Sequence, residues 1–257
     1  TGDVPQYANY VPEIFGQYKI PYFIDQTRSI LFHPFIELIR AALEVIEYDF
    51  SYESVFRFLR CGMASIFVSE ETGETVIDED DIDRLENYVL AKGIRGRKRW
   101  SRIFTPIAKD ADTEEMLCLN RIRKAVVLTF EPLVEAFFPS GKGERKTVAE
   151  QSYALYRFLC SLHAQQNLKK KELSFEADGN PAKAKEYAQI YRIVMDLLDK
   201  ITSLLGDEII PVREFGDILD AGLEAAKVGI IPPGNDRVTI GDIERTRLNH
   251  IKVLFFV

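Results

Sequence analysis

The sequence has few of the residues that carry metal, disulfide or nucleophilic chemistry. It contains three cysteines and three histidines in 257 residues, and these residues form no zinc-finger, HExxH or triad pattern. Cys61, Cys118 and Cys160 lie far apart, and we predict that they are reduced thiols in the core. A disulfide framework, a metal centre and a histidine-based active site are therefore not predicted.

Long apolar runs are also missing. No stretch approaches the ~20 apolar residues that cross a bilayer, and nothing at the start of the sequence has the pattern of a secretory leader. Together with the isolated cysteines, this predicts a cytoplasmic protein with no membrane role. The hydrophobic content of 46% is enough for one large domain or one and a half domains. The net charge of -7 argues against a uniformly basic surface, so any contact with nucleic acid has to be local.

Helical periodicity dominates the middle of the sequence. Apolar residues recur at spacings of three and four, which places them on one face of a helix. Pro34 suits a first helical turn, Ser51 suits an N-cap, and Pro132 is expected to kink the helix that contains it. Helices are predicted over residues 33–48, 51–59, 83–91, 112–138, 147–167, 181–205 and 212–226.

An acidic stretch, residues 70–83, has the outline of a calcium loop. The EF-hand pattern requires glycine at its sixth position and glutamate at its twelfth, and counting from Asp78 these positions hold Asp83 and Val89. We predict instead that the acids stand at a helix N-terminus, where they favour the helix dipole. A second apparent motif, residues 139–147, mixes glycines and lysines but lacks the spacing of a phosphate-binding Walker loop. Neither a metal nor a nucleotide is predicted here.

The two ends of the chain have the pattern of strands. Residues 251–256 form an apolar run typical of a strand that is buried on both faces. Residues 20–24 and 237–242 are predicted to be strands as well, and we expect all three to lie side by side in one sheet. The helices would then form an insertion between the strands. Because this sheet would lack neighbours, the chain is expected to be a piece of a larger protein.

The densest group of cations surrounds the only tryptophan, in the sequence KGIRGRKRWSR. Such a group can neutralise phosphates, and an exposed indole can stack on a base. It also follows the acidic stretch directly, so pairing with those acids, or simple solvation, explains it equally well. The candidate DNA-binding residues are Lys92, Arg95, Arg97, Lys98, Arg99, Trp100 and Arg102.

Three separated segments resemble one family of helicases. Residues 18–46, YKIPYFIDQTRSILFHPFIELIRAALEVI, look like the stretch of UvrD-like superfamily-one helicases in which a strand with an IPY element precedes a helix of the second RecA-like domain. Residues 186–207 and 214–248 are similar to the AddB/RexB family, the helicase-like and nuclease subunit of the bacterial AddAB (RexAB) ATP-dependent helicase/nuclease. The resemblance covers most of the chain and is weakest over residues 65–146.

This resemblance implies an architecture. Residues 1–32 and 227–257 would form part of the second RecA-like domain, and residues 33–226 would form a helical subdomain inserted into it. The fold class is therefore α/β by lineage but predominantly α, with a partial parallel sheet built from the chain ends.

The resemblance also implies a function in processing double-strand DNA breaks before homologous recombination, together with an AddA/RexA-type partner. Active relatives carry a Lys-Gly-Leu-Glu type element that couples ATP to DNA. This chain departs from that pattern, which implies a degenerate motor. The corresponding interdomain residues are Asp242, Glu244, Arg245, Thr246 and Arg247, of which the two arginines would contact phosphates or pair locally with Asp242 and Glu244.

No cofactor is expected in this segment, because the ATP and Mg²⁺ sites and the iron-sulfur cluster of the family belong to other regions. The preferred hypothesis is thus a non-catalytic scaffold that guides single-stranded DNA or a duplex end. One rival is a helical protein-interaction module with no DNA role. Another is a self-contained enzyme, for which a deep pocket with convergent carboxylates would be the sign.

Overall fold

The protein is predominantly α-helical. The structure, a computed structural model, describes residues 4–7, 10–24, 27–70, 73–106, 113–139, 146–229, 237–241 and 252–255. The helices of the described residues are α1 Val4–Tyr7, α2 Tyr10–Gln17, α3 Pro34–Glu47, α4 Tyr52–Leu59, α5 Glu79–Lys92, α6 Arg97–Trp100, α7 Thr113–Phe137, α8 Val148–Ser161, α9 Ala164–Ala177, α10 Pro181–Leu205 and α11 Val212–Ala225. The strands are β1 Tyr22–Ile24, β2 Thr27–Ser29, β3 Phe67–Glu70, β4 Gly73–Val76, β5 Lys227–Gly229 and β6 Val238–Ile240.

The chain divides into two compact units. One combines residues 1–29 with residues 227–257, and the other, which we call the helical unit, comprises residues 30–226. The fold class predicted from the sequence is confirmed as far as its helical character is concerned. The assignment of the first unit to a RecA-like domain remains a prediction.

In the unit formed by the chain ends, strands pair across the whole length of the sequence. β1 and β6 are parallel, with Tyr22 opposite Val238, and the amide of Val238 donates to the carbonyl oxygen of Pro21 at 2.9 Å. β2 and β5 are antiparallel, with Ser29 opposite Lys227. The predicted neighbours at 20–24 and 237–242 do therefore lie side by side.

The strand predicted at 251–256 is not observed in the part of it that the structure describes. Residues 252–255 have no strand conformation, and their side chains are exposed. An apolar run becomes a buried strand only where other strands or helices cover both of its faces. No described strand pairs with these residues, which removes the reason for that conformation.

Most helices of the helical unit begin where a capping side chain is available. His33 accepts a hydrogen bond from the amide of Phe35 at the start of α3, with Pro34 at the first position. Ser51 caps α4 as predicted. Asp78 caps α5 and forms a reciprocal capping box with Asp81. The acids of this stretch thus start a helix, which is longer than the predicted 83–91.

One predicted helix is in fact two. The pattern over 147–167 predicted a single element, but α8 ends at Ser161 and α9 begins at Ala164. Between them Leu162 is fully buried and His163 has a left-handed backbone with a φ of 52°. By contrast α7 continues through Pro132. The thiols are also not all buried as predicted, because Cys160 is exposed.

The core of the helical unit is built on aromatic rings from separate helices. Phe58 of α4, Phe130 of α7 and Phe158 of α8 are fully buried, with ring centroids 4.8 Å to 5.9 Å apart. Arg57 and Arg60 of α4 add ion pairs on the surface: Arg57 contacts Glu37 and Glu44 of α3, and Arg60 contacts Asp83 and Glu86 of α5. α3, α4 and α5 are therefore joined on the outside as well as through the core.

Candidate nucleic-acid interface

The predicted cationic residues lie on a short connection between α5 and α7. We call residues 92–102 the basic segment. It leaves α5 through Gly93, turns at Gly96 and forms the single-turn helix α6. Both glycines have positive φ, at 58° and 81°, a conformation that costs glycine little.

The turn at Gly96 is held against the connection between α3 and α4. The amide of Gly96 donates to the carbonyl oxygen of Phe50 at 3.4 Å, and the amide of Arg97 donates to Oδ1 of Asp49 at 3.1 Å. A Cβ on Gly96 would stand 3.0 Å from the Asp49 carboxylate. Asp49 thus caps the turn and leaves little room for any residue other than glycine.

Trp100 does not have the role that the sequence suggested. Its side chain is 0% exposed and packs near Phe50 and Phe104, with ring centroids at 6.5 Å and 6.0 Å. The prediction that the indole stacks on a base is wrong, because a buried ring has no free face for a base. The indole instead anchors the basic segment to the core.

The cations of the basic segment point away from this anchor. Arg95, Lys98, Arg99 and Arg102 are exposed, and Lys92 and Arg97 are half-buried. Lys92 donates to the carbonyl oxygen of Pro106 at 2.9 Å, and Arg99 donates to that of Gly93 at 2.8 Å. These two bonds hold their charges in place without neutralising them.

The acids that precede the basic segment do not pair with it. Among the described residues no carboxylate lies within 4.0 Å of its cationic groups, whereas Asp83 and Glu86 contact Arg60. Arg60 and Tyr52 hold the pKa of Glu86 below its usual value, mainly through the hydrogen bond from the Tyr52 hydroxyl. The alternative that nearby acids neutralise the basic segment is therefore not what the described residues show.

Two residues of α7 that the sequence analysis did not select position the basic segment. Arg123 donates to the carbonyl oxygen of Trp100 at 2.8 Å. The side-chain amide of Asn120 accepts from the Phe104 amide at 2.8 Å and donates to the Phe104 carbonyl at 3.0 Å. Burial lowers the pKa of Arg123. Arg123 could have been found in the sequence, because it interrupts the apolar stripe of α7.

α7 also presents cations on its solvent side. Arg121 and Lys124 are exposed, and Lys124 stands one helical turn beyond Asn120, which binds the basic segment. The candidate interface is therefore formed by the basic segment together with these two residues of α7.

The second group of predicted site residues, Asp242, Glu244, Arg245, Thr246 and Arg247, lies outside the described residues. Their proposed contacts with phosphates or with each other remain predictions.

Other chemistry was sought in the described part of the chain. It contains no group of three or more histidine, cysteine, aspartate or glutamate side chains that could hold a metal ion. Thr147, from the apparent phosphate loop, caps α8 in a box with Glu150. Among the described helices, none combines the length and apolar character needed to cross a membrane.

Comparison with known proteins places the chain in a family. No protein-family model matches it. It is 37% identical to the AddB/RexB protein of the ATP-dependent helicase/deoxyribonuclease of Lachnoclostridium phytofermentans over 260 residues, which are 100% of this chain and 21% of that protein. The chain belongs to the AddB/RexB family. The resemblance noted in the sequence is thereby confirmed.

Other AddB/RexB proteins match in the same way. That of Clostridium novyi is 35% identical over 257 residues, again 100% of this chain and 21% of that protein. That of Acetivibrio thermocellus is 36% identical over 266 residues, 100% of this chain and 22% of that protein. The chain thus spans about a fifth of the length of the curated AddB/RexB relatives that it matches.

Proposed function

We propose that this part of an AddB/RexB protein is a non-catalytic helical scaffold that guides DNA within an ATP-dependent helicase/deoxyribonuclease. The observation that carries this proposal is the basic segment, whose exposed cations have no carboxylate partner among the described residues and whose backbone is fixed by Gly96, Trp100 and Arg123. Charges held in this way on a firm support can contact phosphates without a large cost in conformational entropy.

The proposed contact is with the sugar-phosphate backbone. Lysine and arginine side chains that neutralise phosphates supply affinity and orientation but no sequence information. Since the indole of Trp100 is buried, the stacking on bases that single-strand binding proteins commonly use is not part of this interface. We therefore expect binding that is independent of sequence and strongly dependent on salt.

The wider role that we propose follows the family. The parent protein would work with an AddA/RexA-type subunit in the cytoplasm, at DNA ends, in double-strand break repair by homologous recombination. Residues 1–32 and 227–257 would belong to a degenerate second RecA-like domain, and residues 33–226 to the helical insert. ATP, Mg²⁺ and an iron-sulfur cluster would be bound elsewhere in that complex.

The test is a salt titration of DNA binding, with the chain alone and in the intact helicase/deoxyribonuclease assembly. Lys98→Ala/Arg102→Ala removes two exposed charges of the basic segment. The control Lys200→Ala/Arg213→Ala removes two exposed charges from α10 and α11. For single-stranded DNA, the slope of log affinity against log salt should fall by about 1.4 in the first variant, about 0.7 for each lost phosphate contact.

The outcomes separate the proposal from its rival. A reduced slope in the first variant and an unchanged slope in the control support DNA guidance by the basic segment. If neither single-stranded nor duplex DNA binds at any salt concentration, the helical unit is a protein-interaction module. If both variants lose the same slope, the contact is a general effect of charge, and the basic segment has no special role.

A further inference from the structure

A second cationic feature lies on the helical unit, at a surface notch far from the basic segment in sequence. The notch has a volume of about 150 Å³ and is formed by the connection between α4 and β3 and by the first two turns of α9. Gly62, Met63 and Ser65 line one wall, and Asn167, Lys170 and Lys171 line the other. Because a water molecule occupies about 30 Å³ of liquid, the notch has room for a tetrahedral oxyanion.

Asn167 holds the two walls together. Its side-chain amide donates to Oγ of Ser65 at 2.9 Å, to the carbonyl oxygen of Leu162 at 3.1 Å and to that of Met63 at 3.4 Å. Since Oγ of Ser65 accepts this bond, the hydroxyl proton of Ser65 remains available for a ligand in the notch. The polar wall is thus fixed before any ligand arrives.

Three consecutive lysines stand on α9, and their surroundings differ. Lys169 contacts Glu172 at 2.6 Å. Lys170 and Lys171 line the notch, are exposed, and have no carboxylate within 4.0 Å among the described residues. The ammonium groups of these two lysines therefore bring positive charge to the notch that no described acid offsets.

The backbone of the notch does not act as a phosphate cradle. The amides of Met63 and Ala64 donate to the sulfur of Cys61, whose pKa is raised chiefly by its burial. The donors left for a ligand are the Ser65 hydroxyl and the two ammonium groups. Such a set suits a singly or doubly charged oxyanion that is held by point charges.

We propose that this notch binds a phosphate group, either a phosphodiester of a nucleic-acid backbone or a free phosphate. The proposal is independent of the basic segment, because it stands on other residues of the helical unit. If the phosphate belongs to nucleic acid, the helical unit has a second point of contact with the strand.

Nuclear magnetic resonance of the full chain can test the site. Titration with inorganic phosphate should shift the side-chain amide signals of Asn167 and the backbone signal of Ser65. In Lys170→Gln/Lys171→Gln the phosphate affinity should fall at least about tenfold, the effect of one lost charge-assisted hydrogen bond. The matched control, Lys169→Gln, changes the neighbouring lysine that is paired with Glu172 and should retain the shifts.

A second titration, with a single-stranded oligothymidylate, identifies the source of the phosphate. If the same signals saturate at an oligonucleotide concentration far below that of inorganic phosphate, the ligand is the nucleic-acid backbone. Equal affinity per phosphate assigns the site to free phosphate. Shifts that chloride reproduces at equal ionic strength, or that persist in Lys170→Gln/Lys171→Gln, would overturn the proposal. Lys98→Ala/Arg102→Ala should leave the phosphate shifts unchanged, which separates this site from the basic segment.

Discussion

At the residue scale, Trp100 shows how a single side chain turns a charged sequence into a surface. Its indole fills the space beside Phe50 and Phe104, and its carbonyl oxygen accepts from Arg123. Because the indole is directed inward, the cations on either side are directed outward. The tryptophan is thus a requirement for the basic segment without being a contact with DNA.

Substitution of this residue separates the two roles. Trp100→Ala should reduce the free energy of unfolding by about 3–5 kcal/mol, the usual cost of removing a large buried aromatic ring, as measured by urea unfolding. Trp100→Phe should cost less and should retain the salt-dependent DNA affinity of the original chain. A loss of affinity in a folded Trp100→Phe protein as large as that in Lys98→Ala/Arg102→Ala would contradict the buried role.

His33 is a second residue whose position has a measurable effect. Its side chain is 3% exposed, its Nδ1 accepts from the Phe35 amide, and its ring lies 4.4 Å from that of Tyr187. Burial, with a smaller contribution from the charge of Lys183, lowers the pKa of His33 from 6.5 to about 4. The folded protein therefore holds this imidazole in its neutral form.

This lowered pKa predicts that stability depends on pH. Between pH 6.5 and pH 4 the unfolded chain binds a proton at His33 that the folded chain does not bind, so the free energy of unfolding falls as the pH falls through this window. From pH 7 to pH 5 the loss attributable to His33 should be about 2 kcal/mol. His33→Asn keeps a capping acceptor and removes the titration. Urea unfolding at the two pH values should show that loss only in the original chain.

At the element scale, capping side chains and apolar stripes explain which helices could be predicted from the sequence. α3, α4, α10 and α11 begin and end close to their predicted limits, because each has an uninterrupted stripe and a proline, serine or asparagine at its start. These are local signals that a single sequence contains.

Other elements depend on contacts that are distant in sequence. The break at His163 has no glycine or proline to mark it, and it occurs where Leu162 is buried and the His163 ring packs 4.7 Å from Phe67. The burial of Trp100 depends on Phe50, fifty residues earlier in the chain. The basic segment could be predicted as a cluster of charge, but the buried indole within it could not, because only tertiary packing decides its direction.

The start of α5 gives a prediction about a single element. Asp78 accepts from the Asp81 amide at 2.8 Å. Loss of this cap in Asp78→Ala should reduce the free energy of unfolding by about 1 kcal/mol, whereas Asp78→Asn should cost much less because asparagine caps equally well. Thermal unfolding of the three proteins checks this order. Calcium should leave all three melting temperatures unchanged, and a calcium-dependent rise that Asp78→Ala abolishes would revive the metal site.

At the scale of the whole molecule, the helical unit has a core of its own. The rings of Phe58, Phe130 and Phe158 contact one another within residues 30–226. A large buried aromatic core is the main source of stability in a domain of this size. The unit should therefore not need the chain ends in order to fold.

Expression of residues 30–226 alone tests this independence. The shortened protein should show a helical circular dichroism spectrum and a single cooperative transition in urea. Phe130→Ala in the same shortened protein serves as a control and should lower the free energy of unfolding by about 3–5 kcal/mol. A broad, non-cooperative transition of the unsubstituted unit would show that the core is completed by residues outside it.

The pairing of Ser29 with Lys227 has a consequence for the history of such proteins. The backbone leaves one strand and, nearly two hundred residues later, resumes in the strand directly beside it. A stretch bounded in this way can be lengthened, shortened or exchanged for a tight turn without rethreading the rest of the chain. The pair of strands would thus be a natural splice site, at which an ancestor could have acquired its helices in one event and at which an engineer could graft others.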